Sequence, residues 1–129
     1  MIKKDFQLSL ILGGAVGLLV QPIISNFYSS ISILASIPST ELRVIAFFVF
    51  LIGAPSALFV FSRLIPVLYQ FAKFASVGIL NTTIDLGIFN LETFLYGSLP
   101  AGLVFSVFKA VSFLASTTNS FAWNKYWTF

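Results

Sequence analysis

Four long apolar stretches separated by short polar breaks set the pattern of this chain. They cover Leu8–Ser25, Val44–Ser62, about Phe74–Tyr96 and Ala101–Ala122. Each has about the 20 residues that a helix rising 1.5 Å per residue needs to cross roughly 30 Å of hydrocarbon. The pattern predicts an all-α, polytopic integral membrane protein with four transmembrane helices. Met1-Ile-Lys-Lys-Asp5 ahead of the first stretch has the look of a signal peptide, but no small-x-small cleavage site follows, so an uncleaved span is expected. Within it, Gly13 and Gly17 form a GxxxG pair that allows close helix approach, and Gln21-Pro22 bends or ends the segment. Residues 26–42 read as an external loop with a short interfacial helix, and Ser39 or Thr40 as the cap of the next helix, with Glu41 in its first turn. Residues 63–73 read as a cytoplasmic linker at headgroup level, anchored by Tyr69 and Phe71. The chain thus divides into a two-span segment, 1–70, and a second two-span segment, 71–129.

The second pair of spans breaks the apolar pattern. Asp85 and Glu92 lie inside the third stretch and Lys109 inside the fourth. A charge at the centre of a membrane helix costs about 2.5–3.5 kcal/mol even on lenient insertion scales, so these three need partners. An antiparallel hairpin turning near Ser98 brings Lys109 within about 4–6 Å of axial offset from either acid, which a lysine stem can cover. Gly78, Asn81, Asp85 and Glu92 form one helical stripe, and Lys109, Ser112, Ser116 and Asn119 another. Counting from the turn sets Asn81 level with Ser116 and Gly78 level with Asn119. The expectation is an intramembrane ion pair of Lys109 with Asp85 or Glu92 on an inward-facing polar interface.

Composition narrows the function classes. Only 9% of the 129 residues are charged and 58% are hydrophobic, against about 25% charged in a soluble domain, and mean hydropathy is +1.01. The absence of cysteine and histidine removes disulfides, thiolate chemistry, imidazole bases and the usual zinc or haem ligands. No nucleophile–base set or phosphate loop accompanies Asp85 and Glu92, so neither an enzyme, a metal site nor a cofactor is expected. The net charge of +3 reflects single basic residues at span ends rather than a nucleic-acid surface. With the N-terminus inside, Lys3, Lys4, Arg63, Lys73 and Lys125 fall on the cytoplasmic side and Arg43 outside. This bias predicts both termini in the cytoplasm and a place in the cytoplasmic membrane.

The polar residues of the second pair carry a resemblance. Lys73-Phe74-Ala-Ser-Val-Gly78-Ile-Leu-Asn81-Thr82-Thr-Ile-Asp85-Leu-Gly87-Ile-Phe-Asn90, then Lys109-Ala-Val-Ser112-Phe113, then Asn119-Ser-Phe-Ala-Trp-Asn124-Lys125-Tyr-Trp127-Thr-Phe129, together resemble the GtrA-like family of small membrane proteins. That resemblance implies a four-span unit that takes part in moving polyprenyl-phosphate-linked sugars across the cytoplasmic membrane for modification of cell-surface polysaccharides. It also implies a membrane glycosyltransferase as partner. The family unit would continue beyond Phe129 with two more spans, so the chain is expected to stop midway through the domain. The alternative is that the first two spans stand in for the missing pair.

On this reading Lys109 meets the lipid phosphate at depth, and Lys73 and Lys125 meet it at the cytoplasmic entrance. Asn81 and Asn119 hydrogen-bond sugar hydroxyls, and Asp85 holds Lys109 or exchanges a proton. Trp123, Tyr126, Trp127 and Phe129 form an interfacial belt. Two other readings use the same residues: a non-transporting subunit that anchors or activates a glycosyltransferase, and a small proton-coupled transporter working through Asp85 and Glu92. The sugar, the energy source and any homo-oligomer stay open.

Overall fold

The computed structural model describes residues 3–28 and 30–129. Helix α1 spans Lys3–Phe27, a single turn α2 Ser32–Ala35, α3 Ser39–Phe61, α4 Pro66–Tyr96 and α5 Gly102–Trp123, followed by a π-helical turn over Asn124–Thr128. No strand is present among the described residues. By length and composition α1, α3 and α4 are each able to cross a membrane. Helix α5, at 22 residues, is nearly as long as the 23-residue α3, but Lys109, Ser112, Ser116 and Asn119 dilute its apolar character. The chain is therefore an all-α, multi-pass membrane protein.

Helices α1 and α3 form an antiparallel pair with the most extensive contact in the molecule, α4 lies across both, and α5 packs on α4. Gly13 and Gly17 make the first contact possible. A Cβ at Gly13 would run into the carbonyl oxygen of Phe50 and lie 3.1 Å from that of Leu51, and one at Gly17 would lie 3.0 Å from the Phe47 carbonyl. Backbone against backbone leaves no flexible atom to yield, so only glycine fits. Leu12 and Val16, each 2% exposed or less, lie beside these glycines, and Leu58 is buried in the same core. The second hairpin closes at Gly97, whose φ of 80° places it in the left-handed region, where its N–H reaches the Thr93 and Phe94 carbonyls.

Three boundaries differ from expectation. Pro22 sits inside α1, which continues five residues beyond it. The linker expected over 63–73 shrinks to Ser62–Ile65, because Pro66 takes the first position of α4, where its missing N–H costs nothing and its fixed φ suits a helix. At the start of α3 the capping position is held by Pro38 with no side-chain bond, so neither Ser39 nor Thr40 caps it. The added turns make α4 31 residues long, about 46 Å at helical rise. It therefore outruns the hydrocarbon, and its first turns reach the level of the α1 start.

Both ends of the described chain meet at one end of the bundle, where Trp127 Nε1 donates to Asp5 Oδ1 at 2.9 Å. Lys3, Lys4, Arg63, Lys73 and Lys125 gather there. At the other end Arg43 donates to Ser25 Oγ at 2.9 Å and Asn26 to Asn90 at 3.3 Å.

Candidate functional site: a polar hairpin and a second carboxylate cluster

The facing stripes of α4 and α5 close on one another. Lys109 Nζ lies 3.0 Å from Asp85 Oδ2. Ser112 Oγ donates to Asp85 Oδ1 at 2.6 Å, so both carboxylate oxygens are held from α5. Toward the end of the bundle that gathers both chain ends, Asn119 Nδ2 donates to Asn81 Oδ1 at 2.7 Å. The Asn81 partner is thus one turn away from the expected Ser116, which instead bonds the Phe113 carbonyl of its own helix at 3.0 Å. Side chains lean toward the N-terminus of their own helix, and for α5 that end is the turn, so Asn119 reaches back to Asn81.

Glu92 stays apart from this set. Lys109 extends away from the turn, its Nζ 5.1 Å above the Phe89 ring, and so reaches Asp85 rather than Glu92. Glu92 Oε2 is buried without a hydrogen-bond partner among the described residues. The ion pair itself is not sealed: the Lys109 and Asp85 side chains keep 37% and 28% of their exposure. Helix α5 packs chiefly on α4, leaving one flank of the pair open at membrane depth.

Lys73 and Lys125, both expected at the entrance, part company. Lys73 Nζ pairs with Asp5 Oδ2 at 3.0 Å, with the two side chains 13% and 6% exposed. Tyr69 Oη donates to the same Asp5 oxygen at 2.6 Å, and the Trp127 indole to the other. Lys73 also lies 4.8 Å from the Tyr69 ring centroid. A lysine expected as a free cation is therefore neutralised within the protein. In the sequence its partner Asp5 lies in the charged run ahead of the first apolar stretch, and no spacing ties it to Lys73. The signal available was that Asp5 is the lone acid at the basic end of the bundle. Lys125 is exposed above the Phe121 and Tyr126 rings, with no acid partner among the described residues. Of the aromatic belt, Trp123, half-buried, and Trp127, buried, pack edge to face at 5.6 Å, whereas Tyr126 and Phe129 are exposed.

The two clusters stand about 18 Å apart along α4, from the 12-residue separation of Lys73 and Asp85. One lies at the bundle end and the other at depth. Together they provide a cation with an open flank between helices and a basic, aromatic rim.

Comparison with known proteins covers the same stretch. Residues 73–129 match the family model described as GtrA/DPMS, transmembrane domain. An uncharacterized membrane protein of Bacillus subtilis (strain 168), YngA, is 41% identical over 58 residues, which is 44% of this chain. The match spans 34% of that relative's length. No solved structure matches the chain. The matched stretch begins at Lys73 and takes in Asp85, Lys109 and Trp127 but not Asp5. Residues 73–129 are thus similar to a GtrA/DPMS transmembrane domain, and they form part of a multi-pass membrane protein.

Proposed function

We propose that this protein takes part in moving polyprenyl-phosphate-linked sugars across the cytoplasmic membrane, for synthesis or modification of cell-surface polysaccharide. The observation that carries the reading is the Lys109–Asp85–Ser112 set at membrane depth with one flank open. A lipid-linked sugar is a phosphate anion with a polar head and a long apolar tail. A groove that offers an ammonium, amides and hydroxyls beside lipid shelters the head while the tail stays in hydrocarbon. Asp85 holds Lys109 extended through a 3.0 Å contact, so an incoming anion would compete with the carboxylate for the lysine. Asn81 and Asn119 offer amide groups for sugar hydroxyls once their mutual bond opens. The membrane glycosyltransferase that charges the lipid is the expected partner.

Replacing Lys109 with arginine tests this. Charge is kept, so Lys109→Arg folds and inserts normally, but a planar guanidinium grips phosphate differently from a compact ammonium. The expected outcome is a stable protein with clearly reduced delivery of lipid-linked sugar to the outer leaflet and unchanged glycosyltransferase binding. Wild-type delivery by this variant removes the phosphate from Lys109.

A second reading, a non-transporting subunit that anchors a glycosyltransferase, draws on one observation. The stripes satisfy each other through the Lys109–Asp85 and Asn119–Asn81 bonds, as helix–helix contacts would. Loss of glycosyltransferase binding in stable Lys109→Arg protein favours this second reading.

A further inference from the structure

Glu92 is the charge that the contacts within the α4–α5 hairpin leave over. Between Phe74 and Ala122 the charged residues are Asp85, Glu92 and Lys109. Lys109 and Ser112 hold both oxygens of Asp85. Glu92 Oε2, by contrast, is buried with no hydrogen-bond partner among the described residues. A buried acceptor without a donor is destabilising, and more so in apolar surroundings, so its place in the hairpin calls for an explanation.

The geometry around Lys109 supplies one. Asp85, Phe89 and Glu92 follow one another at spacings of four and three, so they share one face of α4. Lys109 faces that stripe from α5. Counted from the hairpin turn, it stands about 4.5 Å from the level of Asp85 and about 6 Å from that of Glu92, so its stem spans either offset. The stem now points away from the turn, with Nζ 3.0 Å from Asp85 Oδ2 and 5.1 Å from the Phe89 ring centroid. Phe89 thus lies between the two carboxylates and offers its face to a cation in passage. Its ring is itself held edge to face against Phe105 of α5 at 5.5 Å. The Lys109 side chain keeps 37% of its exposure, so packing does not lock the stem in its present direction.

We propose that Glu92 is a positioning residue, a second carboxylate for the Lys109 ammonium, which crosses from Asp85 past the Phe89 ring to reach it. Ser112 keeps its hydrogen bond to Asp85 when the lysine leaves, so the first carboxylate is not stranded. The two acids are seven residues apart, about 10 Å along the helix, and Glu92 is the one nearer the Gly97 turn. Crossing therefore carries positive charge toward the end of the bundle that holds Arg43. For translocation, the shift deepens the reading of Lys109 as the phosphate partner and rests on that reading, since a phosphate gripped by the ammonium would travel with it. The change of carboxylate is a property of this chain alone.

Carbodiimide cross-linking reads which carboxylate the lysine touches. Dicyclohexylcarbodiimide, which enters apolar regions, activates a carboxyl group, and a touching amine then displaces it. The pair is joined as an amide, the protein losing the elements of one water while the carbodiimide leaves as a urea. The purified protein in detergent, with no lipid-linked sugar added, would be treated and digested, and its cross-linked peptides mapped by mass spectrometry. The parent protein is expected to give a major Lys109–Asp85 product and a minor Lys109–Glu92 product. Glu92→Gln is expected to lose the second and keep the first. Asp85→Asn is expected to raise the Lys109–Glu92 product at least about tenfold, because the competing carboxylate is gone. Since Asp85→Asn removes a charge at depth and risks misfolding, the minor product in the parent decides independently. A parent protein that gives the Lys109–Asp85 product alone, or a folded Asp85→Asn in which Lys109 joins no carboxylate, overturns the proposal. No cargo takes part, so a negative result here and wild-type delivery by Lys109→Arg are separate failures.

Discussion

At the residue scale, the four acids divide by what holds them. Asp5 and Asp85 each have a lysine and further donors, Glu92 Oε2 has none among the described residues, and Glu41 is exposed. The Asp85–Lys109 pair was legible in the sequence, because a charge inside an apolar span demands an opposite charge at helical reach. The choice between Asp85 and Glu92 was not, since both lie at similar offset and the direction taken by the lysine stem decides. Lys109→Ala leaves Asp85 uncompensated and should lower stability by roughly 1–3 kcal/mol, measured by thermal unfolding in detergent. The exchange Lys109→Asp with Asp85→Lys should recover part of that loss. A double variant worse than the sum of the singles would show that the pair is not the main partner of either residue.

At the scale of elements, the helix pairings follow from small residues and turns. The GxxxG pair named the face of α1, but not which helix it meets; that depends on α3 presenting the Phe47 and Phe50 carbonyls at the right height. Gly13→Ala places a methyl group against backbone and should cost about 1–3 kcal/mol. Gly53→Ala, where nothing lies within 4 Å of the new Cβ, should stay within about 0.5 kcal/mol. Thermal unfolding of the two side by side checks this, and equal losses would mean that α1 and α3 are not in backbone contact. The shortened linker before α4 was missed because its polar and aromatic residues suggested headgroup anchoring. Anchoring and helix are compatible once Pro66 starts the helix instead of breaking it.

At the scale of the molecule, the hydropathy pattern carried the all-α membrane architecture, and the positions of the basic residues carried the grouping at one end. The clasp of Asp5 with Lys73 and Trp127 had one faint signal, a lone acid at the basic end, for Asp5 and Trp127 lie 122 apart in sequence and no periodicity links them. Orientation in the membrane follows as an expectation from the positive-inside bias. The chain has no cysteine, so single cysteines report cleanly. Those at Ser30 and Ser98 should react with an impermeant thiol reagent in intact cells, and those at Lys3 and Gln70 should not. The reverse labelling would invert the orientation.

The central claim is that the open flank beside Lys109 takes the head of a lipid-linked sugar, and photolabelling tests it most directly. A polyprenyl-phosphate sugar bearing a photoreactive group near its phosphate would be irradiated with the protein in vesicles, and the labelled peptides mapped by mass spectrometry. The account predicts labels within 81–92 of α4 and 105–119 of α5, suppressed by unlabelled lipid-linked sugar and weakened in Lys109→Arg. Labels confined to α1 and α3, or labels on α4 and α5 that unlabelled cargo does not suppress, would contradict it.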